Sequence, residues 1–514
     1  MKKTTACTAF LLLLTYFTSP ACAGGKRRGP RIDAAALKKQ IQGTWKDGPI
    51  EKAIRKGIAY LRSKQKADGS FDYTHGSHAL KEPKGYKKNP ALLKMLAGII
   101  RLPDEAVESS VGASSLAVYA LLKADVDFHD QAVQKGLTFI TTHETRNIYA
   151  MGIRCNTFVE ADKYARGKYM KYLRHDAQRL IYSIHKDTGG WNYDILDGGD
   201  FHNSPSQYGI LGIWGYQMLS GEIPGNFWPL AWKYWVRGQN KDGGWGYSPH
   251  FRPGKQGSER LRSVGSMATA GLASLFVIND ALNYAKYVTC EGGEYPAAIT
   301  KGLEWFDKEF TNTMTGKTPG SMLSGYFCYY LYGVERVGHA CGYKYFGKQD
   351  WYKLGALTLL KRQRGDGGWG NVPETAFAVV FLCKGRHPVL INKLEFTGDW
   401  NNRPRDLANF TRWMSRNYER EFNWQIVNLK VDPFEWHDAP MLYISGCNKP
   451  DFSEEEIKKL RTYVYQGGTI YSCTECEGSA FKTGIREIYR KAFPRYEMVR
   501  LNAEGLKAHT LGVS

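Results

Sequence analysis

Apolar positions recur along this chain at the spacing of helix faces, and the recurrence itself repeats. A small residue at Gly57, Ala177, Ala231 and Gly355 precedes bulky residues at Tyr60-Leu61, Leu180-Ile181, Tyr234-Trp235 and, less regularly, Thr358-Leu359. Residues three and four apart share one helix face, so each stretch predicts an amphipathic helix. Each helix then runs into a common turn: Gln65-Lys-Ala-Asp-Gly-Ser-Phe71, His185-Lys-Asp-Thr-Gly-Gly-Trp191, Gln239-Asn-Lys-Asp-Gly-Gly-Trp245 and Gln363-Arg-Gly-Asp-Gly-Gly-Trp369. Glycine accepts the positive φ that a helix C-terminus needs. The aromatic is placed to fold back over the turn, and an indole N–H buried there needs an acceptor. Two more copies, Gly136-Leu-Thr-Phe-Ile140 and Gly302-Leu-Glu-Trp-Phe306, keep the helix and lose the turn.

Between these helices the sequence predicts a second, more evenly apolar set. It comprises Val111–Leu122, Gln207–Leu219, Met267–Ile278, Gly325–Val334 and Thr375–Leu382, with a weaker candidate at Ile148–Val159. The result is about six helical hairpins, none able to bury a core alone, so they must stack. Near residue 387 the period changes. Val389–Ile391, Gln425–Leu429, Met441–Ile444 and Thr469–Tyr471 predict short strands, and a further strand is expected at Tyr496–Leu501. Ser453-Glu-Glu-Glu456 is a capping box that opens a helix between two of them, giving a parallel crossover. The expected fold is therefore mainly α, followed by a small α/β part whose sheet is small or incomplete.

The repeat resembles that of the squalene cyclase and protein prenyltransferase superfamily. The Gly57…Gln65…Asp68-Gly69…Phe71 copy is nearly its pattern, as are Gln239…Trp245 and Gln363…Trp369. The resemblance covers about residues 50–386 and implies an α/α toroid, outer helices ringing inner helices around a cavity. It also implies that Gln65, Phe71, Trp191, Gln239, Trp245, Gln363 and Trp369 hold the barrel together and do not touch substrate. Through Leu442-Tyr-Ile-Ser-Gly446 and Tyr463-Val-Tyr-Gln-Gly-Gly468, the last part resembles a glutamine-amidotransferase-like (flavodoxin-like) bacterial domain of uncharacterised role. Active amidotransferases carry a cysteine between glycines on a sharp turn. Here Cys447 follows Gly446 but precedes Asn448, so amidase chemistry is not expected.

The N-terminus carries Lys2-Lys3, an apolar run from Ala9 to Leu14, and Ala21-Cys22-Ala23 before Gly24. That order reads as a secretory signal with a small-x-small cleavage site. The domain plan is thus a signal at residues 1–23, a linker at 24–49, the toroid at 50–386 and the α/β domain at 387–514. No later segment is expected to cross a bilayer, which makes the mature protein exported, periplasmic or extracellular. A formal charge of +20 suits an anionic envelope polymer better than nucleic acid, for which there is no motif. Of 10 cysteines, two leave with the signal and Cys328 and Cys383 lie in apolar helical runs. Cys473 and Cys476 are the one close pair, read as structural thiols.

Chemistry is harder to place. The Asp-x-Asp-Asp acid of the cyclases is missing; Asp125-Val-Asp127 is nearest and reads as a capping region. No spacing argues for a zinc triad, and neither metal nor cofactor is expected. The polar stretch Asp194–Gln207 feeds an inner helix, whose free N–H groups favour polar or anionic ligands. The candidate ligand-contacting residues are Asp200, His202, Asn203, Gln207 and Glu374, with Tyr326 and Tyr329 as an aromatic wall. Three functions compete: binding of an envelope ligand or partner in the cavity; an isoprenoid-modifying enzyme with altered catalytic residues; or a glycan lyase or hydrolase, which needs an acid and base across the cavity.

Overall fold

A computed structural model describes residues 48–72, 105–196, 201–249, 261–288, 293–317, 326–418, 420–475 and 478–500. The molecule is mainly helical, with a small parallel sheet near its C-terminus, as the sequence predicts. Its contacts divide it into two compact units. One comprises Pro49–Lys393 with Asn401–Val427; the described part of the other comprises Leu394–Trp400 and the residues from Asn428 onward.

Among the described residues of the first unit, twelve helices between Pro49 and Cys383 alternate in character, and a further helix, Asp406–Asn417, follows them. The odd-numbered ones are α1 (Pro49–Lys64), α3 (Gln131–Thr142), α5 (Met170–Ser183), α7 (Phe227–Gly238), α9 (Ala297–Met314) and α11 (Trp351–Arg362). They bury one stripe, such as Ala53, Ile54, Gly57, Ile58, Tyr60 and Leu61 of α1, and leave the other face wet. The even-numbered ones are α2 (Glu105–Lys123), α4 (Ile148–Asp162), α6 (Asn203–Met218), α8 (Gly265–Val288), α10 (Phe327–Cys341) and α12 (Val372–Cys383). These are buried nearly all round; in α12, Thr375 to Cys383 is unbroken core. Side chains at their starts fix several boundaries. Asp130, Asn147, Asp350 and Asn371 each accept from a first-turn backbone N–H.

Each even-numbered helix packs on the next, α2 on α4, then α6, α8, α10 and α12, and α12 packs back on α2. The succession of neighbours therefore returns to its start, and the odd-numbered helices pack against members of it. The repeated turn fastens successive outer helices. Gln65 Nε2 donates to Ala132 O of α3 at 2.8 Å, and Gln239 Nε2 to Ala298 O of α9 at 2.9 Å. Gln363 Nε2 donates to Ala53 O of α1 at 2.8 Å, joining the last outer helix to the first. Gly367 has φ +89, and a Cβ on it would lie 2.7 Å from Lys56 O, so the turn needs glycine for conformation and for close approach. The indole N–H groups of Trp191, Trp245 and Trp369 donate to Leu180, Trp235 and Leu359 carbonyls. Phe71, which has no such donor, is fully buried.

The copy that loses its turn after α3 has a substitute. Arg154, on α4, grips Asp176 on α5 with two bonds of 2.6 Å and donates to Ile140 O and His143 O at the end of α3. A buried ion pair thus spans the same two outer helices that the glutamine spans elsewhere.

Two short strands, β1 (Tyr345–Phe346) and β2 (Gln349–Asp350), pair antiparallel before α11, and the larger sheet contains β3 (Val389–Glu395), β4 (Asn423–Asn428), β5 (Met441–Gly446) and β6 (Thr469–Thr474), in the order β4-β3-β5-β6. β5 and β6 run parallel, with Met441 opposite Thr469 and Ile444 opposite Ser472. Between them, α13 (Glu454–Tyr465) begins on the expected capping box of Ser453 and Glu456. The helix that follows β6, Ser479–Ala492, ends before the strand expected at Tyr496–Leu501. Tyr496 to Arg500 form no strand; their side chains, Val499 among them, stand exposed and pair with no strand among the described residues, and Leu501 lies outside those residues. One further expectation needs correcting. Gly265–Lys286 of α8 is long and apolar enough to cross a membrane by length and composition, but most of it is buried within the helical unit.

Candidate functional site

The connections that lead into the even-numbered helices bring polar side chains to their first turns. Ser204 and Gln207 lie on the first two turns of α6, Tyr149 at the start of α4, and Tyr329 at the start of α10. Tyr149 Oη donates to Ser204 Oγ at 2.5 Å, and Ser204 Oγ lies 3.2 Å from Tyr329 Oη. Gln207 Nε2 donates to Tyr329 Oη, and its Oε1 accepts from Arg336 Nη1 at 3.2 Å. α8 packs on both α6 and α10, and these bonds link α6 to α10 directly. Rings continue the network as a wall. Tyr208 stacks parallel to Tyr329 at 6.4 Å, Tyr149 meets Tyr193 and Tyr208, and Phe377 lies against both Tyr329 and Tyr332. Burial drives the Tyr149, Tyr208 and Tyr329 phenols well above their ordinary value, so all three are neutral donors.

Of the residues expected from sequence, the structure brings Gln207 and Tyr329 together at the centre of this network. Asn203 is buried but turned to the next turn of chain, donating to Gly246 O at 2.8 Å. His202 is buried beside the Tyr193 ring, its backbone N–H bonded to Trp191 O. Glu374 accepts from the Cys328 N–H, one residue before Tyr329, and burial raises its carboxyl pKa. Tyr326 stands exposed. Asp200 lies outside the described residues. Asp194 pairs with Arg146 at 3.3 Å and caps Leu196 N–H, which makes the start of the polar stretch a fastened turn. Asp127 accepts from His129 N–H, the turn role expected of it.

Sequence reasoning missed Tyr149, Ser204 and Arg336. Arg336 had a visible signal, since it falls with Glu335 inside an otherwise apolar run. It also missed a charged cluster at the other ends of the even-numbered helices. Lys123 lies 3.1 Å from Glu421 and 3.8 Å from Glu160; Lys163 pairs with both carboxylates; His387 Nε2 is 3.3 Å from Glu421. Glu335, His339 and Lys384 belong to the same end. Among the described residues no group of three or more His, Cys, Asp or Glu side chains could hold a metal. Cys328 and Cys383 are buried, and burial lifts the Cys328 thiol well above its ordinary value, as expected of a packing thiol. Cys473 is half-buried; Cys476 lies outside the described residues.

Residues 390–506 match a family model described as a domain of unknown function (DUF4159). No curated protein matches the chain.

Proposed function

We propose that the helical unit is an α/α toroid of the squalene cyclase and protein prenyltransferase type, and that its cavity binds a polyhydroxylated ligand of the cell envelope, a glycan segment being the best fit. The observation that carries this is the network of Tyr149, Ser204, Tyr329, Gln207 and Arg336 that links α4, α6 and α10. Tyrosine faces stack on sugar rings, while phenol, amide and guanidinium groups bond their hydroxyls. The closed succession of helices and the Gln363–Ala53 bond support the toroid. The network weighs against a polyprene substrate. A hydrocarbon would have to part these bonds and leave each polar group unpaired, at roughly 1–3 kcal/mol apiece. The β4-β3-β5-β6 order supports a flavodoxin-like, amidotransferase-like sheet as a second module. The chain is read as exported, with its mature form starting at Gly24.

Native mass spectrometry of the protein purified from its own envelope tests this. We expect a retained carbohydrate-containing ligand, lost in Gln207→Ala, and a polypeptide mass that starts at Gly24. A retained polyprene, or a carbohydrate held equally by Gln207→Ala, would sink the binding reading.

A further inference from the structure

Helix α10 is apolar over most of its length, so Glu335 and His339 near its end call for a reason. Lys384, just past α12, supplies part of it. Its Nζ lies 2.6 Å from His339 Nδ1 and also donates to Asn423 Oδ1. Both acceptors are neutral. A lysine donating to Nδ1 requires the lone pair there, so the imidazole carries its proton on Nε2. Among the described residues no carboxylate lies within ion-pairing distance of Lys384. Lys123, Lys163 and Lys393, by contrast, each rest on carboxylates. Glu335, one turn before His339, makes no hydrogen bond or ion pair among the described residues.

The electrostatics follow from this arrangement. Burial pushes Lys384 down to about 8, with Lys123 adding to the effect and Glu335 and Glu421 opposing it. The charge of Lys384 holds the His339 imidazole well below its ordinary value, with Lys123 and Arg405 adding to the effect and Glu421 opposing it. Burial raises the Glu335 carboxyl against the pull of Lys384, Lys123 and Arg336. An amine that is partly neutral near pH 8 therefore sits beside a neutral imidazole and a carboxyl inclined to keep its proton. His339 is exposed, and Lys384 and Glu335 are only half-buried, so a small molecule can reach the group.

We propose that Lys384 is a nucleophilic amine that forms an imine with a small aldehyde or ketone, with Glu335 as proton donor and His339 as proton acceptor. Neutral Nζ attacks the carbonyl carbon, the N–C bond forms, and the C=O π pair moves to oxygen, which takes the Glu335 proton. One Nζ proton passes to His339 Nδ1, leaving a carbinolamine. His339 returns that proton to the departing hydroxyl, which leaves as water. The nitrogen lone pair closes C=N, and the last Nζ proton goes to the Glu335 carboxylate. The sum is amine plus carbonyl giving imine plus water, with both proton carriers restored and no oxidant consumed. A lysine activated by burial beside other cations is the usual form of this chemistry.

The test uses the full chain with glycolaldehyde and limiting cyanoborohydride, and peptide mass spectrometry to rank the lysines. It does not depend on the tyrosine network binding a sugar. At pH 8 we expect Lys384 to be labelled at least about tenfold faster than the exposed Lys353, because far more of its amine is neutral. Its rate should level off above pH 8. Lys384→Arg keeps a cationic donor to His339 and Asn423, so it should melt like wild type and lose the label. Glu335→Gln should slow labelling by about 10²-fold with melting unchanged. Labelling of Lys384 no faster than Lys353 overturns the proposal, and a wild-type rate in Glu335→Gln overturns the role of Glu335.

Discussion

At the residue scale, the helical unit is held by polar side chains that reach backbone carbonyls, and the Arg154–Asp176 pair is the costliest to disturb. Asp176 is wholly buried, and Arg154 spends its remaining donor on the carbonyls of Ile140 and His143. Burial alone would raise the Asp176 carboxyl, but Arg154, His175 and Arg179 outweigh it and hold it to about 2, against an ordinary 3.8. A depressed acid stabilises the fold fully above its unfolded value, and that stabilisation is lost as the pH falls through the folded one. Asp176→Asn leaves a guanidinium buried without its counter-charge, which typically costs about 3–5 kcal/mol. Chemical denaturation at pH 7 should show that loss. Between pH 3.8 and about 2 the wild type should lose stability that the variant has already forfeited. Equal denaturation midpoints at pH 7 would refute the assignment. The glutamine turns were legible in sequence because each residue type there has one physical use: an amide that reaches, a glycine with positive φ, an aromatic that covers. The Arg154 substitute was not legible, since nothing local marks an arginine in one helix as the partner of an aspartate in the next.

At the element scale, the return of the helix succession to its start rests on contacts between the first and last helices. Gln363 Nε2 donates to Ala53 O and to Gly367 O, each at 2.8 Å. Removing it leaves a carbonyl of α1 and one of the turn after α11 short of a donor, at roughly 1–3 kcal/mol. Gln363→Ala should lower the melting temperature and speed hydrogen exchange at the N-terminal turn of α1 selectively. Exchange that rises evenly through all the outer helices would count against a role in closure. The candidate site was legible only where it shares this logic. Gln207 and Tyr329 stood out because they sit where even-numbered helices begin, with polar residues feeding an apolar helix. Ser204 and Tyr149 were hidden by their ordinariness at helix starts, where hydroxyls commonly cap. Lys123 and Lys384 were hidden because cations at helix C-termini are the default answer to the helix dipole. Only the crossing of α6 to α10, a feature of tertiary packing, separates these residues from their many structural equivalents.

At the scale of the whole molecule, the boundary between repeat and sheet in sequence differs from the boundary between compact units. The family match begins at residue 390, yet Asn401–Val427 belongs to the helical unit. The reason lies in named side chains. Arg405 reaches Asp280 and the Ala340 carbonyl at 2.5 Å each, and Tyr295 Oη donates to Pro404 O at 3.3 Å. Glu421 then joins Lys123 and Lys163, which would otherwise be left with Glu160 alone. Burial would raise the Glu421 carboxyl, but Lys123 and Lys163, with help from His387, hold it below the ordinary glutamate range. Its stabilisation is therefore complete above pH 4.5 and fades as the pH falls toward its depressed value. Glu421→Gln keeps the shape and removes the charge. It should lower the melting temperature at pH 7, and the gap from wild type should narrow as the solution is acidified below pH 4.5. Glu454→Gln, which removes an exposed partner of Lys491, is the control and should melt like wild type. If Glu421→Gln melts with the control at pH 7, the segment beyond the repeat is held by its other contacts, those of Arg405 among them, and the charge cluster at this end of the helices does not anchor it.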